Sequence, residues 1–419
     1  MAWSAGKMKQ IPWSSPSARS CRNRRKGCNS AWEQRKLGDV CEPITDSIDT
    51  QKYPNEVFAE YSMPAFDASM KPDIVLGSSM NSVRKIITRP CLLVNKLNVR
   101  KKRIWYVKKP NKNAVCSAEF IPLYSDTVDL TFLNQVAKSE TFTRYLENHS
   151  SGSSNSQKRI TPRSLMLSKL HIPTIEEQKL IGKIFESLDH TITLHEEKKR
   201  QLERLKSALL QKMFADKSGY PVVRFKEFCD EWQGTKLRKI SKIVRGASPR
   251  PISDPKWFDN DSNVGWLRIS DVTSQDGRIH HLKQHISKQG QAKTRVISEP
   301  HLLLSIAATV GKPLINYVKI GVHDGFLIFI EPQFDLEFMF QWLEMFRPQW
   351  SKYGQPGSQI NLNSDLVKNQ IIYLPSREEQ NQIGIFLNQI DSLINLHQQK
   401  INNINSVKKW FSIKTCVND

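Results

Sequence analysis

A long helical segment that occurs twice restricts the possible folds of this 419-residue chain more than any other feature. The first copy runs from Pro173 to about Phe214, contains no further proline, and has Gly182 as its only glycine. Its apolar residues recur at the three- and four-residue spacing of an amphipathic helix. The segment therefore predicts one helix roughly 60 Å long, at about 1.5 Å per residue, with an apolar face that needs a partner.

The second copy begins 202 residues further along the chain. An internal repeat of this kind indicates that one structural plan is used twice. The two helices are expected to pair with each other, and since the chain must return between them, the pair is expected to be antiparallel. The repeated helix start comprises Pro173, Glu176, Glu177, Gln178, Ile181 and Gly182 in the first copy and Pro375, Glu378, Glu379, Gln380, Ile383 and Gly384 in the second.

Both copies are predicted to carry a coiled-coil seam, with the second core position of each heptad three residues after the first. His195 and His397 occupy equivalent core positions. We interpret them as polar residues that fix the helix register, with metal ligation as the alternative. The predicted seam consists of Ile181, Ile184, Leu188, His195, Leu202 and Leu205, together with Ile383, Phe386, Ile390, His397, Ile404 and Val407.

The sequence around the helices follows one plan as well: a globular unit, a polar loop, then the long helix. Short apolar runs, such as Cys91 to Val94, predict strands, and Thr131 to Asn148 has helical periodicity. The predicted fold class is mixed α/β (α+β), with two globular domains separated by two long antiparallel coiled-coil helices in a pseudo-twofold repeat. The predicted divisions are a basic, disordered tail (1–31), a first domain (32–172), a first helix (173–217), a second domain (218–374) and a second helix (375–419).

The formal net charge of +21 favours a polyanionic partner, because Lys and Arg gain affinity by displacing counterions from phosphates. A basic solvated surface is the alternative. No apolar run approaches the ~18 residues of a membrane span, and the N-terminal residues do not resemble a secretory signal. The seven cysteines are scattered and form no CxxC pair, which favours reduced thiols in a cytosolic protein and argues against a zinc site.

Two unlike globular units joined by a helix pair suggest a protein that reads two different DNA half-sites at a distance fixed by the helices. Candidate contacts lie in loops that combine small polar residues with cations, and a solvated loop is the alternative for each. Arg250 suits bidentate contact with guanine, with phosphate contact as its alternative. The candidates are Ser78, Ser79, Asn81, Arg84, Lys85, Ser154, Ser156, Gln157, Lys158, Arg159, Ser248, Arg250, Arg268, Ser358 and Gln359.

Two further features have simpler interpretations. The basic run from Arg100 to Arg103 predicts a solvated turn, with phosphate binding as the alternative. His323 and Asp324 have the composition of a catalytic dyad, but no serine or cysteine elbow accompanies them. The sequence also has neither an Asn-Pro-Pro-Tyr-type methylation box nor a glycine-rich cofactor turn, so nothing in it predicts an enzyme.

From Trp32 to the C-terminal helix, the sequence resembles the specificity subunits of Type I restriction-modification systems. The strongest marker is the pattern P-x-x-EEQ-x-x-IG at both helix starts, followed by Leu188-Asp189 in one copy and Ile390-Asp391 in the other. Each globular unit resembles a different type of target-recognition domain. The motifs that carry this resemblance lie at 61–67, 96–98, 116–120 and 152–159 in the first unit and at 246–251, 266–272 and 357–359 in the second.

The resemblance implies that each domain reads one half of a bipartite DNA site and that the helix pair sets the spacer. It further implies that the helices dock two methyltransferase subunits and that a restriction (translocase) subunit joins them, so that the complex directs adenine methylation or restriction. This chain is expected to have no catalytic activity, cofactor or metal of its own. S-adenosylmethionine, ATP and Mg²⁺ are expected on the partner subunits. The expected location is cytoplasmic and nucleoid-associated, in a bacterium or archaeon.

Two alternatives come from other functional classes. A standalone sequence-specific DNA-binding regulator would use the same paired units but would bind its site without a methyltransferase partner. An independent nuclease or methyltransferase is disfavoured by the missing motifs.

Overall fold

The computed structural model describes residues 32–154, 156–273, 275–307, 309–350 and 362–416, with side chains described up to Phe411. The chain divides into two compact units, one formed by residues up to 190 together with residues from 405 onward, and the other by residues 191–404. The predicted basic tail (1–31) and the polar loop containing Ser358 and Gln359 lie outside the described residues. In the described part of the chain, no helix is both long enough and apolar enough to cross a membrane.

The first unit is a mixture of short strands and short helices that precede one long helix. Its helices are α1 Leu37–Val40, α2 Met63–Ser69, α3 Leu130–Ala137, α4 Glu140–Asn148 and α5 Pro162–Met166, followed by the long α6 Ile175–Lys212, of which residues 191–212 are counted with the second unit. Its strands are β1 Glu33–Lys36, β2 Glu42–Pro43, β3 Ser47–Ile48, β4 Val57–Tyr61, β5 Asp73–Leu76, β6 Arg84–Ile86, β7 Cys91–Asn95, β8 Ile104–Val107, β9 Ala114–Cys116, β10 Phe120–Tyr124 and β11 Lys169–Ile172.

Strand β7 runs through the middle of the first unit and is buried along its whole length. It belongs to an antiparallel sheet of order β2-β10-β7-β8, and a second sheet of order β3-β6-β9-β4-β5 pairs β4 with β9 in parallel. Leu92 and Val94 pack into one apolar cluster, whereas Cys91 and Leu93 pack into another. A strand buried on both faces has no polar alternation, which explains the continuous apolar run in the sequence.

The second unit repeats this order of elements with different sheets. Its helices are α7 Leu237–Ile240, α8 Lys288–Gln291, α9 Leu336–Trp350 and α10 Ser364–Asn369, followed by the long α11 Arg377–Cys416. Its strands are β12 Gln233–Lys236, β13 Lys242–Arg245, β14 Gly265–Leu267, β15 Arg278–Ile279, β16 Arg295–Ile297, β17 Leu302–Ser305, β18 Pro313–Asn316, β19 Ile320–Val322, β20 Phe326–Ile330 and β21 Ile371–Leu374.

The two units share a frame around the start of each long helix. In the first unit β1 pairs with β11 just before α6, and in the second β12 pairs with β21 just before α11, both antiparallel. The remaining sheets of the second unit have the orders β13-β20-β17-β18-β15 and β14-β19-β16. Leu302 and Leu304 of β17 face the cluster that includes α9, and Leu303 faces the opposite cluster. The internal repeat predicted from sequence is therefore present in the fold.

The long helices run antiparallel. In the second unit, His195 Nδ1 lies 2.9 Å from His397 Nδ1, and Lys206 Nζ lies 2.5 Å from Asp391 Oδ1. As residue numbers increase along α6, the numbers of the facing residues on α11 therefore decrease. The predicted fold class, with mixed α/β units and a pair of long antiparallel helices, is confirmed.

The predicted seam has the wrong register at its second core position. Ile184 and Leu205 are 49% exposed and Val407 is 45% exposed, so they lie outside the buried face. The buried or half-buried residues at that position come one step later, at Phe185, Ile192, Lys199 and Lys206 in α6 and at Leu387, Ile394, Ile401 and Lys408 in α11. Lys206 and Lys408 lie on this face because each pairs with an aspartate while its aliphatic stem is largely covered, and a search for apolar residues does not detect them.

The other predicted seam residues range from buried to half-buried. Ile383 and Ile390 are buried. Phe386 is half-buried and packs edge-on against Phe225, with ring centroids 5.9 Å apart, rather than in the seam. The residues at the first core position that are neither fully buried nor exposed are Ile181, Leu188, His195, Leu202, His397 and Ile404.

One predicted helix is two helices. The region from Thr131 to Asn148 is divided into α3 and α4, because Ser139 has extended backbone geometry and its hydroxyl accepts a hydrogen bond from the Phe142 amide. A serine in this role begins a new helix instead of continuing the old one. The corresponding segment of the second unit, α9, is continuous.

Candidate nucleic-acid interface

A glutamine in each repeated Glu-Glu-Gln motif fastens the long helix to its own globular unit. The buried Gln178 side chain accepts a 2.9 Å hydrogen bond from the Asp129 amide and donates a 2.9 Å hydrogen bond to the Pro173 carbonyl. In the second unit, Gln380 makes the same two bonds with Asp335 (2.9 Å) and with the Pro375 carbonyl (3.0 Å). The motif therefore has a structural role in each repeat.

The glycine of the same motif permits close approach of the long helix to a shorter helix that precedes it in the chain, α3 in the first unit and α9 in the second. A Cβ atom on Gly182 would lie 3.0 Å from Thr131 Cβ, and one on Gly384 would lie 2.8 Å from the Phe338 backbone nitrogen. The second of the two glutamates has a different partner in each unit. Glu177 accepts a 3.2 Å hydrogen bond from the indole of Trp32, whereas Glu379 accepts two from the Arg224 guanidinium, at 2.7 and 2.8 Å.

The first group of candidate DNA contacts, between Ser78 and Lys85, is only partly accessible to a DNA ligand. Ser78, Ser79 and Asn81 are exposed. The Arg84 side chain is 12% exposed and its Nε lies 2.7 Å from Glu60, while Lys85 Nζ donates to the Thr45 carbonyl at 2.6 Å. A phosphate would therefore compete with partners that already hold both cations. The serines and Asn81 are the more accessible members of this group.

The structure brings three separate motifs of the first unit together around the second group of candidates. The Asn98 amide donates to the Lys158 carbonyl at 2.9 Å, and the Ile160 amide donates to the Lys96 carbonyl at 3.0 Å. Arg159 is exposed and forms a 3.0 Å ion pair with Glu119, which lies in the third motif. The exposed members of the cluster are Ser154, Ser156, Gln157 and Arg159, with Lys158 half-buried.

In the second unit, Asp324 organises the candidates. The Ser248 hydroxyl donates to its Oδ1 at 2.9 Å, and Arg250 Nη2 donates to its Oδ2 at 2.7 Å. Burial by itself would raise the pKa of Asp324, but the Ser248 hydrogen bond and nearby cations lower it overall, so it is a carboxylate at neutral pH. Sequence reasoning treated Asp324 only as half of a catalytic dyad and missed this role, for which no local signal exists.

Arg268 and Arg250 differ in how freely they can bind a ligand. Arg268 Nε and Nη2 each lie 3.1 Å from an oxygen of Asp271, and the Arg268 side chain is 38% exposed. Arg250 keeps 73% of its side chain exposed while it contacts Asp324. Arg250 is therefore the candidate cation of the second unit with the larger accessible surface.

The basic run from Arg100 to Arg103 is a solvated turn at Arg100 and Lys101, as the sequence predicts, but its last residue is buried. Arg103 has a side chain 9% exposed and donates two hydrogen bonds to Asp67, at 2.8 and 2.6 Å. Arg100 pairs with Glu147 at 2.6 Å, and Lys102 pairs with Glu140 at 2.5 Å. These cations hold loops of the first unit together, so phosphate binding is not needed to explain them.

Both long helices expose apolar side chains away from the buried face. Each helix carries several of them, and exposed apolar patches are typical of protein–protein interaction sites. Within the described residues, no group of three or more His, Cys, Asp or Glu side chains is arranged to hold a metal ion. The exposed apolar residues, which we call the outer stripe, are Leu180, Ile184, Leu194 and Leu205 on α6 and Ile385, Leu393, Leu396, Val407 and Trp410 on α11.

Comparison with known proteins identifies the family to which this geometry belongs. The chain matches the family described as "Type I restriction modification DNA specificity domain" over residues 29–204 and again over 229–406. Since these two matches cover most of the chain, the protein belongs to this family and contains its domain twice.

Curated relatives agree with the family. The chain is 25% identical over 259 residues to the Type I restriction enzyme MjaVIII specificity subunit of Methanocaldococcus jannaschii, a match that covers 58% of this chain and 59% of that protein. It is 24% identical over 309 residues to the putative Type I restriction enzyme MjaX specificity subunit of the same organism, covering 72% of this chain and 67% of that one.

Solved structures show the same fold. The S subunit of a Type I restriction-modification system from M. genitalium matches with a TM-score of 0.61 and 13% identity, covering 94% of this chain and 99% of that one. A chain from a study of complex assembly and conformational transition of the type I R-M system matches with a TM-score of 0.56 and 19% identity, covering 94% and 100%. At these identities, the likeness concerns the fold alone.

Proposed function

We propose that this protein is the DNA-recognition (specificity) subunit of a Type I restriction-modification complex. Each globular unit reads one half of a bipartite DNA site. The observation that carries the proposal is the repeated helix junction: Gln178 and Gln380 make the same pair of hydrogen bonds beneath two unlike domains. A common frame that carries two different heads is the arrangement expected of a reader of two different half-sites.

The helix pair sets the spacer between the half-sites and docks two methyltransferase subunits, and a restriction (translocase) subunit completes the complex. The outer stripe supports the docking role, because it offers apolar side chains on both helices. The net charge of +21 supports a DNA partner. The chain itself is not catalytic, and S-adenosylmethionine, ATP and Mg²⁺ bind to the partner subunits of a cytoplasmic, nucleoid-associated complex.

Sequencing of modified bases in host DNA, with and without this gene, tests the proposal. We expect methylated adenine in a split motif, two short specified blocks separated by a fixed number of unspecified bases, and its complete loss without the gene. An unchanged methylation pattern would refute a role in modification. Footprinting of the complex should likewise show two protected blocks, and a single continuous block would contradict the two-headed arrangement.

Docking of the methyltransferase subunits separates this proposal from the standalone regulator. Leu396 is 44% exposed on α11, and Leu396→Glu should remove methyltransferase subunits from the purified complex because it places a charge in an apolar contact. Gln399→Glu changes an exposed residue of the same helix by the same charge and serves as the control. A wild-type chain that purifies alone and binds its site tightly would favour the regulator.

A further inference from the structure

The second unit contains a cavity of about 630 Å³ that is open to solvent. The half-buried Phe258 and His323 contribute ring surfaces to its lining, and Arg268, Gln284 and Ser253 contribute polar groups. The buried Trp266, only 1% exposed, packs against His323 with the ring centroids 5.9 Å apart and the rings at an angle of 59°. Flat ring surfaces combined with a few polar groups suit a planar heteroaromatic ligand.

Cations concentrate beside this cavity. Asp324, next to the lining residue His323, accepts the hydrogen bond from Arg250, and its carbonyl accepts a 2.6 Å hydrogen bond from Arg245. Arg295 in turn donates to the Arg245 carbonyl at 2.7 Å. Arg250 therefore pairs with the Asp324 carboxylate, while Arg245 and Arg295 donate to backbone carbonyls of the same region. This excess of positive charge complements a phosphate backbone and would disfavour a cationic ligand.

The protonation state of His323 fits a neutral aromatic ligand. Burial lowers the pKa of His323, and although Asp324 opposes this, Arg250 and Arg245 lower it further, so the ring is neutral at pH 7. Its Nδ1 lies 2.9 Å from the Gly325 amide nitrogen and 3.0 Å from Asp324 Oδ1. The ring therefore offers a stacking face, held in place by contacts at its Nδ1 edge. The Gln284 side-chain amide adds one donor group and one acceptor.

We propose that this cavity binds a single nucleobase that is unstacked and unpaired from the half-site read by the second unit. The proposal rests on the proposed function and deepens it. A nucleobase has a planar ring, an edge of donors and acceptors and an attached phosphate, and these match the Phe258 and His323 rings, the Gln284 amide and the arginines in turn. A base inside the stack cannot reach a concave site, so the base that binds here must leave the duplex.

A scan with abasic sites identifies such a base. At its base pair, removing the base from one strand and removing it from the other change the DNA-binding affinity in opposite directions. Removing the bound base takes away its stacking and should weaken binding about 5- to 150-fold. Removing its partner makes unpairing easier and should strengthen binding, since an unpaired base is extruded at lower cost. For a base read inside the duplex, either removal weakens binding. The scan uses the assembled complex with its methyltransferase subunits.

Two variants test whether the opposite affinity changes at one base pair depend on the cavity. Ser253 is an exposed lining residue, so Ser253→Trp fills the space without removing core packing and should abolish the opposite-signed pair. Phe258→Leu keeps apolar volume but removes a ring, and should weaken the signal. Ser298→Trp, at an exposed serine outside the cavity lining, is the matched control and should leave the scan unchanged.

The methylated adenine provides an internal reference. Methyltransferases extrude their target base themselves, so this position should give an opposite-signed pair that Ser253→Trp does not remove. The proposal is overturned if the target adenine is the only such position, or if Ser253→Trp leaves every position unchanged. It is also overturned if Ser253→Trp keeps the scan but releases methyltransferase subunits, since the cavity would then bind a protein side chain. A wild-type complex that binds no DNA would refute the proposed function itself.

Discussion

The two junctions between a globular unit and a long helix share a backbone frame but differ in their charged groups. In the second unit, Asp391 accepts hydrogen bonds from Lys206 at 2.5 Å, Gln341 at 2.7 Å and Arg278 at 3.2 Å. Its side chain is 13% exposed. The equivalent Asp189 of the first unit forms an ion pair with Lys408 and keeps 41% of its side chain exposed.

A second difference lies nine residues beyond each capping aspartate. Counting on from Asp129 gives Lys138, and counting on from Asp335 gives Glu344. Burial lowers the pKa of Lys138, and the nearby Lys408 lowers it further. Burial raises the pKa of Glu344, although Lys312 and Arg347 oppose that shift. The repeat therefore keeps the contacts that dock the helix, while each unit has its own buried charge, which makes the two junctions chemically distinct.

The largest expected effect is the loss of Asp391. Asp391→Ala leaves Lys206 and Arg278, both mostly buried, without this carboxylate, and should destabilise the second unit by about 3–5 kcal/mol. Asp189→Ala, at the more exposed junction, should cost about 1 kcal/mol or less. Urea unfolding followed by tryptophan fluorescence measures both. Equal losses would show that the two junctions are energetically equivalent.

Replacing the helix glycine should also destabilise the second unit more than the first, but by a smaller amount than the loss of the aspartate. In Gly384→Ala the new Cβ would meet the Phe338 backbone nitrogen at 2.8 Å, and overpacking against backbone should destabilise the fold by about 1–3 kcal/mol. In Gly182→Ala the nearest atom is the Thr131 side chain at 3.0 Å, which moves more easily. There the gain of about 1 kcal/mol in helix propensity should offset the crowding. Thermal melting of the two variants tests this, and a larger loss at Gly182 would contradict it.

The dependence of stability on pH should also distinguish the two units, through Glu344 in the second and Lys138 in the first. A raised pKa for Glu344 means that the folded state favours the protonated form, so its contribution is present below the ordinary pKa of 4.5 and is lost as pH rises. Glu344→Gln should therefore be more stable than wild type at pH 7, and the gain should vanish at pH 4. Lys138→Met should also stabilise at pH 7, but without any change between pH 4 and 7, because the lowered pKa of Lys138 belongs to a group with an ordinary value of 10.5. Melting curves across this range distinguish the two.

The smallest effect concerns the histidine pair, where the two helices meet at equivalent residues. Burial lowers the pKa of His397, and His195, Lys400 and Lys198 lower it further. A lowered pKa contributes stability that is present above the ordinary value of 6.5 and is lost on acidification, because a proton on His397 places a positive charge in a partly desolvated site close to Lys400 and Lys198. His397→Gln should flatten the dependence of the melting temperature on pH between 5 and 7. An unchanged slope would show that the pair does not sense pH.

Much of the architecture could be predicted from sequence because it depends on local periodicity and on repetition. The two long helices and the strand β7 follow from spacing within a single segment, and the antiparallel pairing of the helices follows from the repeat. The candidate residues between Ser154 and Arg159 were found from a motif, and the structure shows that this motif meets two others in one cluster. Whether these side chains contact DNA stays a prediction.

The sequence by itself determined the repeat, the helices and the class of each unit, since those depend on patterns within a few turns or strands. Only the tertiary structure decided the seam register, the role of Asp324 and the partners of Arg84 and Arg103. Each of these depends on a charge that meets its counterpart across tens to hundreds of residues. Lys206 belongs to the buried face only because Asp391, 185 residues away, satisfies its charge there.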